Sequence, residues 1–415
     1  VARIIFLTQV LPYPLNAGPK VRAYHMLRHL AGQHEVTLVS FIRPDDSADA
    51  IAHLSGICRA VHTVAMQRST WRNLRAGGKG LLTGLPIVIA RDEIGEMQAL
   101  VRRLAASQAF DVVHADQLSM SAYGLLAAQA GDLPALLDEH NAIYLLTQRM
   151  MADERNWARR TVIAREAKAF ARYEARTCQA YDAVLTVTPE DRQHLLTLYP
   201  PERREALRDK FTVVPISVDP DEVAAVAHRP NPVPTILHVG TMFWPPNVAG
   251  VMWFAREVLP LIHQRLPETR FVVVGKAPPP EVQALGSDPR IVITGYVAEL
   301  EPYLAEADAF VVPLHVGGGM RVKILDAWLW GLPIISTPIG AEGIELVDGD
   351  NILLAEGAPN FADAVTRVLT DDTLNRQLRT AGRTWVEETY AWRAVYRRVD
   401  RVYAKLLTAT HTSGR

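Results

Sequence analysis

Cysteine is nearly absent from these 415 residues: Cys58 and Cys178 are the only two, far apart and without a histidine or cysteine at zinc-ligand spacing. That argues against a disulfide-stapled scaffold and a structural zinc site, and it fits a reducing cytoplasm. A surplus of charge of either sign is also missing. The 44 Lys and Arg stand against 45 Asp and Glu, a formal net charge of -1, which argues against a nucleic-acid backbone as the main partner. Long apolar runs are lacking as well. Residues 1–7 are too short a run for a signal peptide and read as a buried strand. Residues 81–90 are broken by Gly84 and Pro86 and fall well short of the ~20 that span a bilayer. No transmembrane helix is expected.

What is present is a chain that is 49% hydrophobic and longer than one core usually organises, so two domains are expected. Short β-branched runs alternate with loops carrying Gly, Pro or Asp and with longer amphipathic stretches, the pattern of parallel sheets wrapped by helices. In the first half the expected strands are 4–8, 36–41, 61–64, 112–114, 135–138, 183–187 and 211–215, with helices over 21–31, 94–106 and 150–176. Residues 216–234 turn polar and carry Pro220, Pro230, Pro232 and Pro234, which can sustain neither a helix nor a central strand and mark a linker. The alternation restarts at 235–239, 270–274, 291–294, 309–313, 333–336 and 352–354, and helical stretches follow at 361–369, 373–388 and 392–407. That tail could cross back onto the first domain.

The most informative run lies at 308–327. An apolar strand ends at Pro313, Gly317, Gly318 and Gly319 permit a tight turn, and a helix is expected from about Met320. Unpaired N–H groups and the positive end of the helix dipole then face an anion. Arg321 and Lys323 add the charge that offsets a pyrophosphate, and Asp326, one turn further in, is placed to accept hydrogen bonds from ribose hydroxyls. A glycine loop capping an ordinary helix with two surface cations is the plain alternative; the ordered set of strand, glycines, Arg, Lys and Asp favours the nucleotide diphosphate.

With the continuation Gly331-Leu332-Pro333-Ile334-Ile335-Ser336-Thr337-Pro338-Ile339-Gly340-Ala341-Glu342-Gly343, this run resembles the donor-binding half of glycosyltransferase family 4. The likeness extends nearly end to end. Leu11-Pro12-Tyr13-Pro14 through Gly18 and Lys20 resembles the family's first loop, Pro215-Ile216-Ser217-Val218-Asp219 its interdomain hinge, and Gly240-Thr241-Met242 with Pro246-Asn247 the opening loop of its second domain. The resemblance implies an α/β chain of GT-B fold, with two Rossmann-like doubly wound domains facing a cleft. Residues 1–217 would form the acceptor-side domain, joined by a C-terminal helix at about 391–408 that crosses back, and 218–390 the nucleotide-sugar donor domain. It also implies retaining hexosyl transfer with no essential metal and no cofactor. UDP is the expected nucleotide, because the glycine-rich variant resembles uridine-dependent members. The acceptor, a glycan, glycolipid or small molecule, is not readable. Two other classes stay open: a sugar-nucleotide epimerase with the same architecture, and a non-catalytic nucleotide-sugar binding subunit.

Two departures from the family pattern bear on the site. The family's acidic pair is two glutamates separated by seven residues, whereas this chain has Gly318 and Asp326. Gly318 removes an acid that commonly touches the transferred sugar. Between Gly240 and Asn247, where many relatives place an Arg and a Lys on the phosphates, this chain has neither, and Arg321 and Lys323 are expected to replace them.

Other candidates sit at strand ends. Gly18 would let backbone approach a phosphate or acceptor, with Lys20 beside it, although a simple loop glycine explains it nearly as well. Asp138-Glu139-His140-Asn141 falls at a carboxyl edge, where open α/β sheets bind ligands. By resemblance His140 contacts the donor sugar near the reacting carbon, able to donate to a hydroxyl or shuttle a proton. His114 and Asp116 either position the acceptor or satisfy loop amides. Tyr296 and Val297, after Gly295, resemble the turn that holds the base, with an ordinary core aromatic as the alternative. Thr241 and Glu342 are possible substrate contacts. Finally, Arg159, Arg160, Arg165, Lys168, Arg172 and Arg176 suit peripheral contact with the inner face of a membrane or with a lipid-linked acceptor. Glu154, Glu166 and Glu174 offer intrahelical partners that would make the same face merely solvated.

Overall fold

The computed structural model describes residues 1–15, 18–66, 70–154, 156–229, 231–316 and 319–413. The chain folds as two compact units, Val1–Pro215 with the segment from Val395 onward, and Ile216–Ala394.

The first unit is built on β1 (Arg3–Thr8), β2 (Glu35–Ile42), β3 (Ala60–Ala65), β4 (Val112–Asp116), β5 (Ala135–Glu139), β6 (Ala183–Thr186) and β7 (Phe211–Val213). They pair in parallel in the order β3-β2-β1-β4-β5-β6-β7. The second unit holds β8 (Thr235–Val239), β9 (Arg270–Val274), β10 (Ile291–Gly295), β11 (Ala309–Val312), β12 (Ile334–Ser336) and β13 (Leu353–Leu354). These too are all parallel, in the order β10-β9-β8-β11-β12-β13. Every strand expected from the sequence forms, because strands covered by helices on both faces are written as continuous apolar runs. β4, β5, β6 and β11 are buried along their whole length.

In each unit the strand order reverses beside its first strand, between β1 and β4 and again between β8 and β11. The carboxyl ends of strands at such a switch point diverge into a crevice, the usual ligand site of a doubly wound sheet. The candidate residues after β4 and β11 fall there.

One helix differs from expectation. In place of a single helix over 150–176, the chain forms Ile143–Asp153 and then Trp157–Ala180. The Asn156 side chain accepts hydrogen bonds from the N–H groups of Ala158 and Arg159 at 3.0 and 3.1 Å, an N-cap that starts a new helix. Arg159 and Arg160 therefore open a helix instead of continuing one.

The last helix, Trp392–Ser413, returns to the first unit as expected. Its Tyr403 hydroxyl lies 2.8 Å from His114 Nδ1, Asp400 pairs with His29 at 2.7 Å, and Arg398 donates to the Val213 carbonyl. The proline-rich stretch after Ile216 is anchored in the second unit, where Val218 exchanges backbone hydrogen bonds with Tyr390 and Trp392. Among the described residues no helix is long and apolar enough to cross a membrane.

Candidate active site

In the second unit the turn after β11 leads into the helix Val322–Leu329, with Arg321 as its N-cap residue. Gly317 and Gly318 lie outside the described residues. Gly319 has φ 74°, a left-handed conformation that glycine adopts without strain, and its carbonyl accepts from Arg321 Nη1 at 2.9 Å. The Met320 side chain is buried, so only its backbone is available to a ligand.

Lys323 points to the neighbouring loop. Its Nζ donates to Asn247 Oδ1 at 3.0 Å, while Asn247 Nδ2 donates to the Thr241 carbonyl at 2.9 Å. Asn247 thus ties the loop after β8 to the helix after β11. Gly240 lies at the point of convergence: a Cβ there would stand 2.9 Å from both Lys323 Nζ and Asn247 Nδ2, and 3.1 Å from His238 Nε2. Lys323 thereby brings an amine to this loop, which has no Arg or Lys of its own between Gly240 and Asn247. Burial, and then Arg321, lower the amine to about 7.

His238 on β8 completes the cradle. Its Nδ1 lies 2.9 Å from the Val311 carbonyl and donates to it, which leaves Nε2 as a buried acceptor without a partner. Burial and the nearby Lys323 push the imidazole down to about 3, so it is neutral. Asp326 is raised to about 6 by burial. Tyr296 is 75% exposed, which removes the core-aromatic alternative, and Val297 is half-buried beside it. Thr241 is exposed and Glu342 half-buried in the turn after β12.

In the first unit, Gly18 opens the helix Gly18–Ala31, which carries Lys20 and Arg22. Lys20 pairs with Asp46 at 3.6 Å. Arg22 is buried against Asp138, with Nη2 at 2.7 Å from Oδ1 and Nε at 3.0 Å from Oδ2, and its Nη1 donates to the Val214 and Pro215 carbonyls. On the same side of the sheet His140 Nε2 lies 2.9 Å from Asp116 Oδ1 and 3.8 Å from Asp138 Oδ2. Burial raises the Asp116 carboxyl against the pull of His140. Burial alone would raise Asp138 too, but Arg22 and then His140 outweigh it and hold Asp138 below the ordinary carboxylate value.

Asp116, Asp138 and His140 are close enough together to hold a metal ion. Their chemistry opposes one, because Arg22 already neutralises Asp138 and a divalent ion would sit against its guanidinium. The arrangement instead fixes His140: Asp116 orients the ring and Asp138 anchors the neighbouring strand end. His114 does not join them. Its ring is fully buried, packs 4.3 Å from Phe6 and is committed to Tyr403, and burial lowers it to about 3. It serves the core and the last helix.

Two family models match this architecture. Residues 17–208 match the description "Glycosyl transferase 4-like domain" and residues 233–371 match "Glycosyl transferases group 1". Together they span most of the chain. It belongs to the GT4-type glycosyltransferases.

This glycosyltransferase is 21% identical over 413 residues to an uncharacterized 44.6 kDa protein in the cps region of Klebsiella pneumoniae, covering 95% of this chain and 98% of the relative. It is 26% identical to a 2-deoxystreptamine N-acetyl-D-glucosaminyltransferase of Niallia circulans, over 43% of this chain and 46% of that one. Among solved structures, Anabaena HepE in complex with UDP and glucose superposes with a TM-score of 0.64 at 13% identity, over 98% of this chain and 100% of the other, a likeness of fold. The family places the chain among transferases and not epimerases.

Two buried polar residues beside the candidate site, Arg22 and His238, are not marked by the sequence motifs. Arg22 falls in the expected helix 21–31 and His238 in the expected strand 235–239. The only available signal was a charged or imidazole group among residues expected to be buried, which requires a partner.

Proposed function

We propose that this enzyme transfers a hexose-type sugar from a UDP-sugar to a hydroxyl-bearing acceptor, with retention of anomeric configuration and without a metal. The observation that carries the reading is Lys323 lodged against Asn247 and Gly240, beside the N-terminus of Val322–Leu329. Diphosphate leaves readily only when its growing charge is met, and Lys323, Arg321 and first-turn amides meet it without a cation.

In this reading Gly317, Gly318, Gly319 and Met320 contribute backbone donors, with Gly18 as a further backbone approach to the diphosphate. Asp326 accepts from the ribose, Tyr296 and Val297 hold the base, and Thr241 and Glu342 meet the ribose or sugar. His140, held by Asp116, contacts the donor sugar near the reacting carbon, and Lys20, paired with Asp46, is a further candidate substrate contact. The crystallised HepE complex with UDP and glucose supports the nucleotide, and the Niallia relative, an N-acetyl-D-glucosaminyltransferase, supports transfer of a hexose-type sugar. The acceptor is a glycan, glycolipid or small molecule. Exposed Leu81 and Leu82, next to Gly80 whose carbonyl accepts from Arg165, and exposed Trp157, two positions before Arg159, suit peripheral contact with an anionic membrane, which co-sedimentation with anionic liposomes at low salt tests directly.

The reaction is tested by incubating the protein with UDP-glucose, UDP-galactose, UDP-N-acetylglucosamine or GDP-mannose and an acceptor panel, with and without EDTA. Mass spectrometry and proton NMR should show a retained linkage from a uridine donor, unaffected by the chelator. An inverted linkage, or transfer from GDP-mannose alone, would overturn the corresponding part.

A further inference from the structure

His238 lies on β8, one residue before its end, and its side chain is fully buried. An imidazole in an otherwise apolar strand is destabilising unless its ring nitrogens find partners. Nδ1 has one, the Val311 carbonyl on β11 at 2.9 Å, to which it donates. In a neutral ring that donor makes the other nitrogen an acceptor. The ring is neutral, because burial and then Lys323 push it down to about 3. Nε2 is therefore an acceptor, and it is buried without a hydrogen-bond partner. Buried polar atoms are nearly always paired, so this one calls for a donor.

The Lys323 amine is the donor at hand. An ammonium carries three hydrogens, and Asn247 Oδ1 takes one of them. Asn247 Nδ2, bonded to the Thr241 carbonyl, keeps Oδ1 turned to the amine. Lys323 Nζ stands 2.9 Å, and His238 Nε2 3.1 Å, from the point that a Gly240 Cβ would occupy, so the two nitrogens are no further apart than the sum of those distances. Glycine leaves the space between them open, and the flexible methylene stem of lysine lets the amine turn through it. Arg321, in the turn before the helix, faces the same amine and lowers it. Asp326, one turn along the same helix, is shifted by burial alone.

We propose that His238 is the positioning residue of Lys323: its Nε2 accepts a second hydrogen bond from the amine and holds it, charged, at the corner beside Gly240. The role rests on the reading of Lys323 as a diphosphate contact and supplies the means by which that contact is tuned. A hydrogen bond made to the charged form favours that form. Burial and Arg321 draw the amine down, and His238 draws it up. Without the imidazole the amine would be neutral over more of the pH range, and a diphosphate would bind only by restoring its proton at the expense of affinity. The opposite tautomer would present an N–H to the ammonium and repel it. The Val311 carbonyl, which selects the tautomer, is thus part of the same device.

The test titrates the Lys323 amine by NMR in the full chain carrying carbon-13-labelled lysine, the signal being assigned by its loss in Lys323→Met. His238→Phe, and the smaller His238→Leu, should each lower the amine by about one unit, the equivalent of one hydrogen bond to a charged group. His238→Gln, whose Oε1 can reach the place of Nε2, should restore it. In calorimetry the two apolar variants should bind UDP within about twofold of wild type at about pH 6 and about tenfold more weakly at about pH 8, where the free amine has lost its proton. In Lys323→Met, adding His238→Phe should change UDP affinity no further. The nitrogen-15 spectrum of wild-type His238 should show a proton on Nδ1 and a hydrogen-bonded acceptor at Nε2.

An amine that titrates as in wild type in both apolar variants would overturn the inference, whatever those variants do to the melting temperature. A proton on Nε2 of wild-type His238 would overturn it too, as would a loss of UDP affinity equal at every pH, which is the mark of a structural defect. An amine moved by His238→Phe in a protein whose UDP affinity ignores Lys323→Met would uphold the pairing and sink the diphosphate reading instead.

Discussion

Lys323 and Asn247, 76 residues apart in the chain, are joined by a 3.0 Å hydrogen bond that links the helix after β11 to the loop after β8. The amine is buried and held at about 7, so its charge depends on what lies beside it. A diphosphate favours the charged form, so binding raises the amine's pKa and takes up a proton wherever the free protein has lost it. UDP affinity should therefore fall as pH rises above about 7. Calorimetry at about pH 8 in buffers of different ionisation heat should register uptake approaching about one proton. Lys323→Met should abolish the uptake, and with Arg321→Ala it should weaken UDP by about tenfold or more. An affinity that does not change across this range would remove Lys323 from the phosphates.

Gly240 and Gly275 offer a contrast between function and stability. A methyl at Gly240 meets the movable ends of Lys323 and Asn247, so Gly240→Ala should fold normally and lose UDP affinity by about tenfold as their hydrogen bond breaks. At Gly275 a Cβ would stand 1.7 Å from the Gly240 carbonyl oxygen, which is backbone and cannot swing aside. Gly275→Ala should cost about 1–3 kcal/mol, the usual range for overpacking, read as a lower denaturation midpoint. Equal melting of the two variants would contradict the packing described.

The strands were legible because their apolar runs report burial, a local property. The turn proposed to hold the diphosphate stands out in the sequence because strand end, glycines, Arg321, Lys323 and Asp326 follow one another within a few residues. What escaped was pairing at a distance. Nothing near Arg22 announces Asp138, 116 positions away, and nothing near Lys323 announces Asn247. His114 shows the same limit: nothing near this strand-end histidine announces Tyr403, 289 positions later, whose hydroxyl its Nδ1 meets. The break at Asn156 was obscured because the amphipathic pattern continues through it, and a cap depends on one side chain.

Arg22 and Asp138 form a buried pair whose value shows when one partner is removed. Arg22→Met leaves the buried Asp138 without its guanidinium, with only His140 at 3.8 Å to offset its charge, and should cost about 3–5 kcal/mol. Adding Asp138→Leu should recover much of it in a chemical denaturation series. No recovery would mean that the contacts of Arg22 to the Val214 and Pro215 carbonyls carry its contribution.

Glu174 accepts from the Ile143 and Tyr144 amides, yet burial drives its carboxyl up to about 8. The folded protein therefore holds a proton that the unfolded chain, near 4.5, releases earlier. That contribution to stability is complete below 4.5 and is lost as pH rises through 8, so the thermal midpoint should decline over this window. Glu174→Gln should flatten the decline, and a wild-type midpoint that climbs across it would refute the assignment.

The return of Trp392–Ser413 to the first unit has a consequence for how the polypeptide can be divided. The sheet it covers is complete in the chain by Val213, but the partners of His29 and His114 are translated only after the whole second unit. During synthesis the first unit therefore waits, one helix short, while the second forms. A chimera that exchanges second units between related enzymes must cut twice, after Pro215 and again at the start of the last helix, so that this helix stays with the unit whose His29 and His114 it meets.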